Sequence, residues 1–166
     1  GKLYKNEIVK RYPFPKGKYF EDSYWQHLVM NEVTNYGIVP TPLYYYRQRS
    51  SGISGEFSIK NLDLLKGYEE RLKFVQKFYP KYVNVMSVKL WLMGYSFTES
   101  AKNKCDAKTI KYFTEFWQRI NELYHPLFDV ALHSNNKYRL WKSFPKLIKF
   151  YEFTNKVIDR VFRKST

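Results

Sequence analysis

Lys18-Tyr19-Phe20-Glu21-Asp22-Ser23-Tyr24-Trp25 joins a loop to a helix, and its reading decides the rest of the chain. The loop before it holds Pro13, Pro15 and Gly17. The segment after it, Ser23 to Asn35, places Tyr24, Trp25, Leu28, Val29 and Val33 at helical spacing, which predicts one buried face. Two residues compete to start that helix. Asp22 can cap it by accepting a bond from a first-turn N–H. Ser23 with Gln26 instead fits a reciprocal capping box, which leaves the Asp22 carboxylate free just outside the helix. There the helix dipole favours its ionised form, as a general base for a hydroxyl requires. Read without chemistry, Asp22 is a plain cap.

Outward from this join, helix signals dominate. KLYKNEIVK (residues 2–10) predicts a short helix with Leu3 and Ile8 inward. The helix from Ser23 is expected to stop at Tyr36-Gly37, where glycine suits a C-terminal stop. Ile38 and Val39 read as a short extended piece. Pro42 leads into Leu43-Tyr44-Tyr45-Tyr46-Arg47-Gln48-Arg49, a run of β-formers that predicts a strand. The flexible run Ser50 to Gly55 marks a boundary between units 1–55 and 56–166. Charge shifts there: residues 1–56 carry 8 basic and 5 acidic side chains, and 57–166 carry 21 and 10.

Beyond the boundary four helices are expected. Ser58 caps the first, which carries Leu62, Leu65, Leu72 and Val75 and stops near Pro80. The second carries Val83, Met86, Leu90, Met93 and Phe97. Asp106 caps the third, with Ile110, Phe113, Trp117, Ile120, Tyr124 and Leu127 on one face and a kink expected at Pro126. The last carries Leu140, Phe144, Leu147, Tyr151, Ile158 and Val161. Short connections predict a small antiparallel bundle, with the aromatic stripes as its core.

The bulk properties bound the function. The 166 residues carry a net charge of +14 and hold 16 Tyr, 13 Phe and 4 Trp, which points to an anionic partner. Nucleic acid, an anionic membrane face and a nucleotide diphosphate all fit that description. Cys105 is the single cysteine, so no intrachain disulfide framework exists, in keeping with a reducing compartment. His27, His125 and His133 are scattered, with no zinc-site spacing, and read as surface or packing residues. No signal peptide is visible, and the longest apolar stretch, Val83 to Phe97, is broken by Asn84, Ser87 and Lys89. A cytoplasmic protein, or one peripheral at the inner face of the cell membrane, is expected.

Four pieces, in order, resemble the C-terminal part of family-2 glycosyltransferases, bacterial enzymes of the GT-A fold. They are KLYK (2–5), PKGKYFEDSYW (15–25), IVPTPLYYYRQR (38–49) and FSIKNLDLLKGYEER (57–71). The resemblance implies a mostly α chain: a remnant of a GT-A-like α/β domain, with short strands and one helix, followed by the helical extension. It implies a hexosyltransferase-type activity, moving a sugar from a nucleotide-sugar donor to a sugar or lipid-linked acceptor with inversion, in cell-surface polysaccharide or glycoconjugate synthesis. Asp22 is then the catalytic base, and Glu21 orients it or the acceptor hydroxyls. Tyr24 and Trp25 border the acceptor, and Arg47, Gln48 and Arg49 lie on the substrate, the arginines facing the diphosphate.

Two departures stand out. Gly52 occupies the place of a family serine, leaving a hydroxyl to Ser51 or Ser54. Neither the N-terminal α/β half nor an Asp-x-Asp motif is present, so the Mn or Mg ion of the full-length enzyme is expected to have ligands mostly outside this chain, and this chain alone is expected not to transfer sugar. Two other readings compete. One is a basic, aromatic-rich nucleic-acid-binding module, disfavoured because no recognition motif matches and most aromatics fall on predicted buried faces. The other is a non-catalytic interaction domain.

Overall fold

A computed structural model describes residues 2–45, 47 and 56–133, with backbone alone for 125–133. The described chain is mostly helical: α1 (Asn6–Arg11), α2 (Glu21–Glu32), α3 (Asn61–Phe78), α4 (Val83–Lys104) and α5 (Ala107–His133), with a 3-10 turn at Pro80–Tyr82 between α3 and α4. The connections from α3 to α4 and from α4 to α5 are short enough to make antiparallel neighbours. The last expected helix and the Ser50–Gly55 boundary lie outside the described residues.

The core sits where α3, α4 and α5 meet. Leu65 and Leu72 of α3, Leu90 of α4, and Phe113 and Ile120 of α5 are fully buried. Each contributes about 1.5–3 kcal/mol by leaving water. Phe57 closes one end, its ring centre 5.3 Å from Phe113 and 5.4 Å from Phe97. Two small residues bring helices together. A Cβ on Gly94 would stand 3.0 Å from the Trp117 ring, so glycine lets α5 approach α4 there. Thr98, buried in the same seam, donates its hydroxyl to the carbonyls of Gly94 (2.8 Å) and Phe113 (3.2 Å). Trp91 Nε1 donates to Asn121 Oδ1 across the same two helices (2.9 Å). Glu69, buried on α3, accepts two bonds from Arg119 of α5 at 2.6 and 2.7 Å.

Helix ends differ from the sequence expectations in instructive ways. Asp106 caps α5 as expected, accepting the Thr109 N–H at 2.7 Å. At α3 the roles reverse: Ser58 offers its backbone, and the side chain of Asn61 accepts the Ser58 N–H at 2.9 Å. The first helix is only Asn6–Arg11 and Leu3 is fully exposed. Residues 2–4 stay outside the helix, and Tyr4 packs on Trp25. Helix α2 ends at Glu32 rather than Tyr36-Gly37, because Val33, Thr34 and Asn35 are poor helix formers. Helix α5 continues through Pro126 to His133.

The strand expected over Leu43 to Arg49 is not seen in its described part, and Tyr46, Gln48 and Arg49 lie outside the described residues. Among the described residues there is no strand, and Leu43–Tyr45 and Arg47 are irregular. A strand is completed by a neighbour's hydrogen bonds, and no described segment supplies that ladder. Ile38, Val39 and Leu43 accordingly stand 81%, 67% and 77% exposed. Among the described residues no helix is long and apolar enough to cross a membrane.

Candidate functional site

The loop before α2 is shaped by two residues with left-handed backbone, Gly17 (φ 73°) and Phe20 (φ 55°). Glycine takes that conformation freely, but for phenylalanine it costs roughly 1–2 kcal/mol. Three bonds hold Phe20 in place. Its carbonyl accepts the Ser23 hydroxyl at 2.7 Å and the Ser23 N–H at 2.9 Å. One residue earlier, the Tyr19 N–H donates to Asp63 of α3 at 3.1 Å. The helix therefore begins at Glu21. Neither Asp22 nor Ser23 is its cap, since Phe20 holds that position and no side chain caps it.

Glu21 and Asp22 thus fall inside the first turn, where the positive end of the helix dipole favours two carboxylates. Both are exposed, and neither makes a hydrogen bond or ion pair with any described residue. Asp22 lines an open cleft of about 390 Å³ with Lys2, Tyr4, Trp25 and Gln26. The helical repeat explains the grouping: positions 22, 25 and 26 share one face.

Trp25 supports this cleft from below. It is 5% exposed and donates its indole N–H to the Tyr12 carbonyl. Phe14 stacks on it at 4.5 Å, and Tyr4 meets it edge-on at 5.0 Å. Most of its surface is therefore already covered.

Tyr24 turns the other way, toward α3. Its hydroxyl is buried without a partner, and burial first, then the charges of Asp63, Glu70 and Glu69, push its pKa up to about 12. It stays a neutral phenol away from the cleft. On the same side, a Cβ on Gly67 would fall 1.9 Å from the Ser23 hydroxyl, so only glycine admits α2 this close to α3. Arg71 adds a bond to the Ser23 carbonyl at 3.1 Å. His27 packs on Phe74 with ring centres 5.0 Å apart. Burial, then the Arg71 guanidinium, lowers its pKa to about 4. Of the two roles expected for it, surface or packing, His27 takes the second.

The structure thus brings Asp22 and Trp25 to one cleft, with Glu21 beside Asp22 on the first turn, and sends Tyr24 to the helix interface. Arg47 is exposed on the irregular segment after α2. Gln48 and Arg49 lie outside the described residues. Sequence reasoning missed Lys2, Tyr4 and Gln26 as cleft residues. Gln26 was within reach of a helical-wheel argument from Asp22, whereas Lys2 and Tyr4 arrive through tertiary packing. Among the described residues no three His, Cys, Asp or Glu side chains converge as a metal site would require.

Scans against protein-family models, curated proteins and solved structures return no match to this chain.

Proposed function

We propose that this chain forms the acceptor-side part and helical extension of an inverting glycosyltransferase of the family-2 kind, with Asp22 as its base. The observation that carries the reading is the free Asp22 carboxylate on the first turn of α2, held at a cleft by a strained, pinned loop. Strained backbone of this kind clusters at working sites, because ordinary packing does not call for it. The ordered resemblance of residues 2–71 supplies the reaction.

On this reading Asp22 accepts the proton of an acceptor hydroxyl as that oxygen bonds to the anomeric carbon. The bond from that carbon to the diphosphate breaks on the opposite face, and the electron pair leaves with the nucleoside diphosphate. Configuration inverts. Asp22 is the general base, and Glu21 orients it or the acceptor hydroxyls. Trp25 positions the cleft wall, Lys2 and Gln26 offer polar contacts to a sugar, Arg47 and Arg49 serve the diphosphate, and Gln48 contacts the substrate. The described residues do not fit a divalent metal, so no step here runs through one. Any Mn or Mg of the full-length enzyme would take its ligands mostly outside this chain.

The test is transfer and hydrolysis by the full-length protein with a panel of nucleotide sugars, comparing wild type with Asp22→Asn. The expected loss is about 10²–10⁴-fold in turnover, with nucleotide binding unchanged. Equal activity would reduce Asp22 to a favourable charge at a helix start and sink the assignment.

A further inference from the structure

The turn from α3 into α4 is apolar and basic, and among the described residues none covers it. Every residue from Gln76 to Tyr82 is exposed. Phe78 and Tyr82 are each 50% exposed, and Val85, on the first turn of α4, is 58% exposed. The packing explains why: Leu72 and Val83 already bury the inward side of the two helix ends, so the turn between them can only point out.

Charge accompanies the rings. The Lys77 ammonium lies 5.1 Å from the centre of the Phe78 ring, and Lys81 lies 4.9 Å from that of Tyr82. Lys89 is exposed one helical turn beyond Val85. The 28 residues between Glu70 and Glu99 contain five Lys or Arg and no Asp or Glu, so nothing within the segment opposes this charge. Lys73 alone is neutralised nearby, by Glu70 at 2.9 Å. Apolar side chains ringed by lysines, at the end of a rigid helix pair, have the chemistry of a lipid interface. The rings settle at headgroup level while the lysine stems snorkel to the phosphates.

We propose that this apex is a docking site for an anionic lipid bilayer. The inference stands apart from sugar transfer, since it uses none of the cleft residues. Nucleic acid is the poorer fit. One face of each of Phe78 and Tyr82 already carries a lysine, and Val85 has no ring to stack on a base.

The experiment is cosedimentation of the full chain with vesicles of phosphatidylcholine alone, or mixed with phosphatidylserine. Binding is expected only to the anionic vesicles and is expected to weaken with salt. Lys77→Ser with Lys81→Ser should lower vesicle affinity about 25-fold, at about fivefold per lysine. Phe78→Ser with Tyr82→Ser should lower it about tenfold or more, with the helical circular dichroism retained. Lys104→Ser with Lys108→Ser removes the same charge at the other end of α4, about 33 Å away, and should cost less than about threefold.

Equal losses from the two lysine pairs would mean diffuse attraction and would overturn the proposal. So would unchanged binding after loss of Phe78 and Tyr82, or no binding to anionic vesicles at all. Apex-dependent binding to single-stranded RNA without vesicle binding would overturn it in favour of a nucleic-acid surface.

Discussion

His27 is held neutral in the fold at pH values where, unfolded, it is substantially charged. Its pKa is about 4 in place against 6.5 outside. A depressed histidine binds fewer protons when folded. Its stabilising effect is therefore complete above pH 6.5 and is lost as pH falls toward 4. Because the ring is only partly buried, solvent screening cuts the contribution to about 1 kcal/mol. Urea unfolding midpoints at pH 7 and pH 4.5 should converge in His27→Gln relative to wild type, and parallel pH dependence in both proteins would refute the assignment. Gly67 offers a second residue-level test. Gly67→Ala should destabilise by about 1–3 kcal/mol, since its Cβ would also approach the Ser23 Cβ to 2.9 Å. Ser23→Gly should recover part of the loss in thermal melts of the double variant. The Gly67 role could not be read from sequence. Ser23 and Gln26 spell a capping box locally, but the contact with Gly67 takes Ser23 into the interior.

At the scale of elements, periodicity was a sound guide wherever burial was local. Helices α3, α4 and α5 follow from the spacing of Leu65 and Leu72, of Val83 and Leu90, and of Phe113 and Ile120, and the Asp106 cap from its place before α5. The strand is not found where the chain is described. Leu43 to Tyr45 are β-forming residues, yet a strand is half of a pair, and propensity says nothing about whether the other half lies within reach. The Glu69–Arg119 link was equally hidden, since its partners stand 50 residues apart. It ties α3 to α5, and its two bonds fix one register between them. Arg119→Met leaves Glu69 buried without its cation and should cost about 2 kcal/mol, between the exposed and buried limits. Adding Glu69→Leu should restore most of that in denaturant titrations. A double variant no more stable than Arg119→Met alone would mean that the pair matters by its shape rather than its charge.

For the whole molecule, the described helices form one packed body that carries a candidate base but no convergent set of metal-binding side chains. On the proposed reading, which leaves the donor side to the rest of a longer enzyme, the 166-residue chain by itself is expected to show no metal-dependent sugar transfer, and detectable transfer in a radiolabelled-donor assay would refute that division of labour. The candidate site was legible only in part. Asp22 was marked by its place at a helix start, while the walls of its cleft come from residues 2–4 folding back. Helix α2 has one more consequence. Its first turn carries Asp22, and near its far end Asn31 accepts a hydrogen bond from Tyr79 at 2.6 Å, beside the exposed turn into α4. Twelve helical residues span about 18 Å. If both proposals hold, the helix is a spacer of set length between the proposed base and the proposed docking corner. With that corner on a bilayer, a hydroxyl meets Asp22 only inside a shallow layer of water above the headgroups. A sugar carried on a lipid lives in that layer, whereas the growing tip of a long chain leaves it.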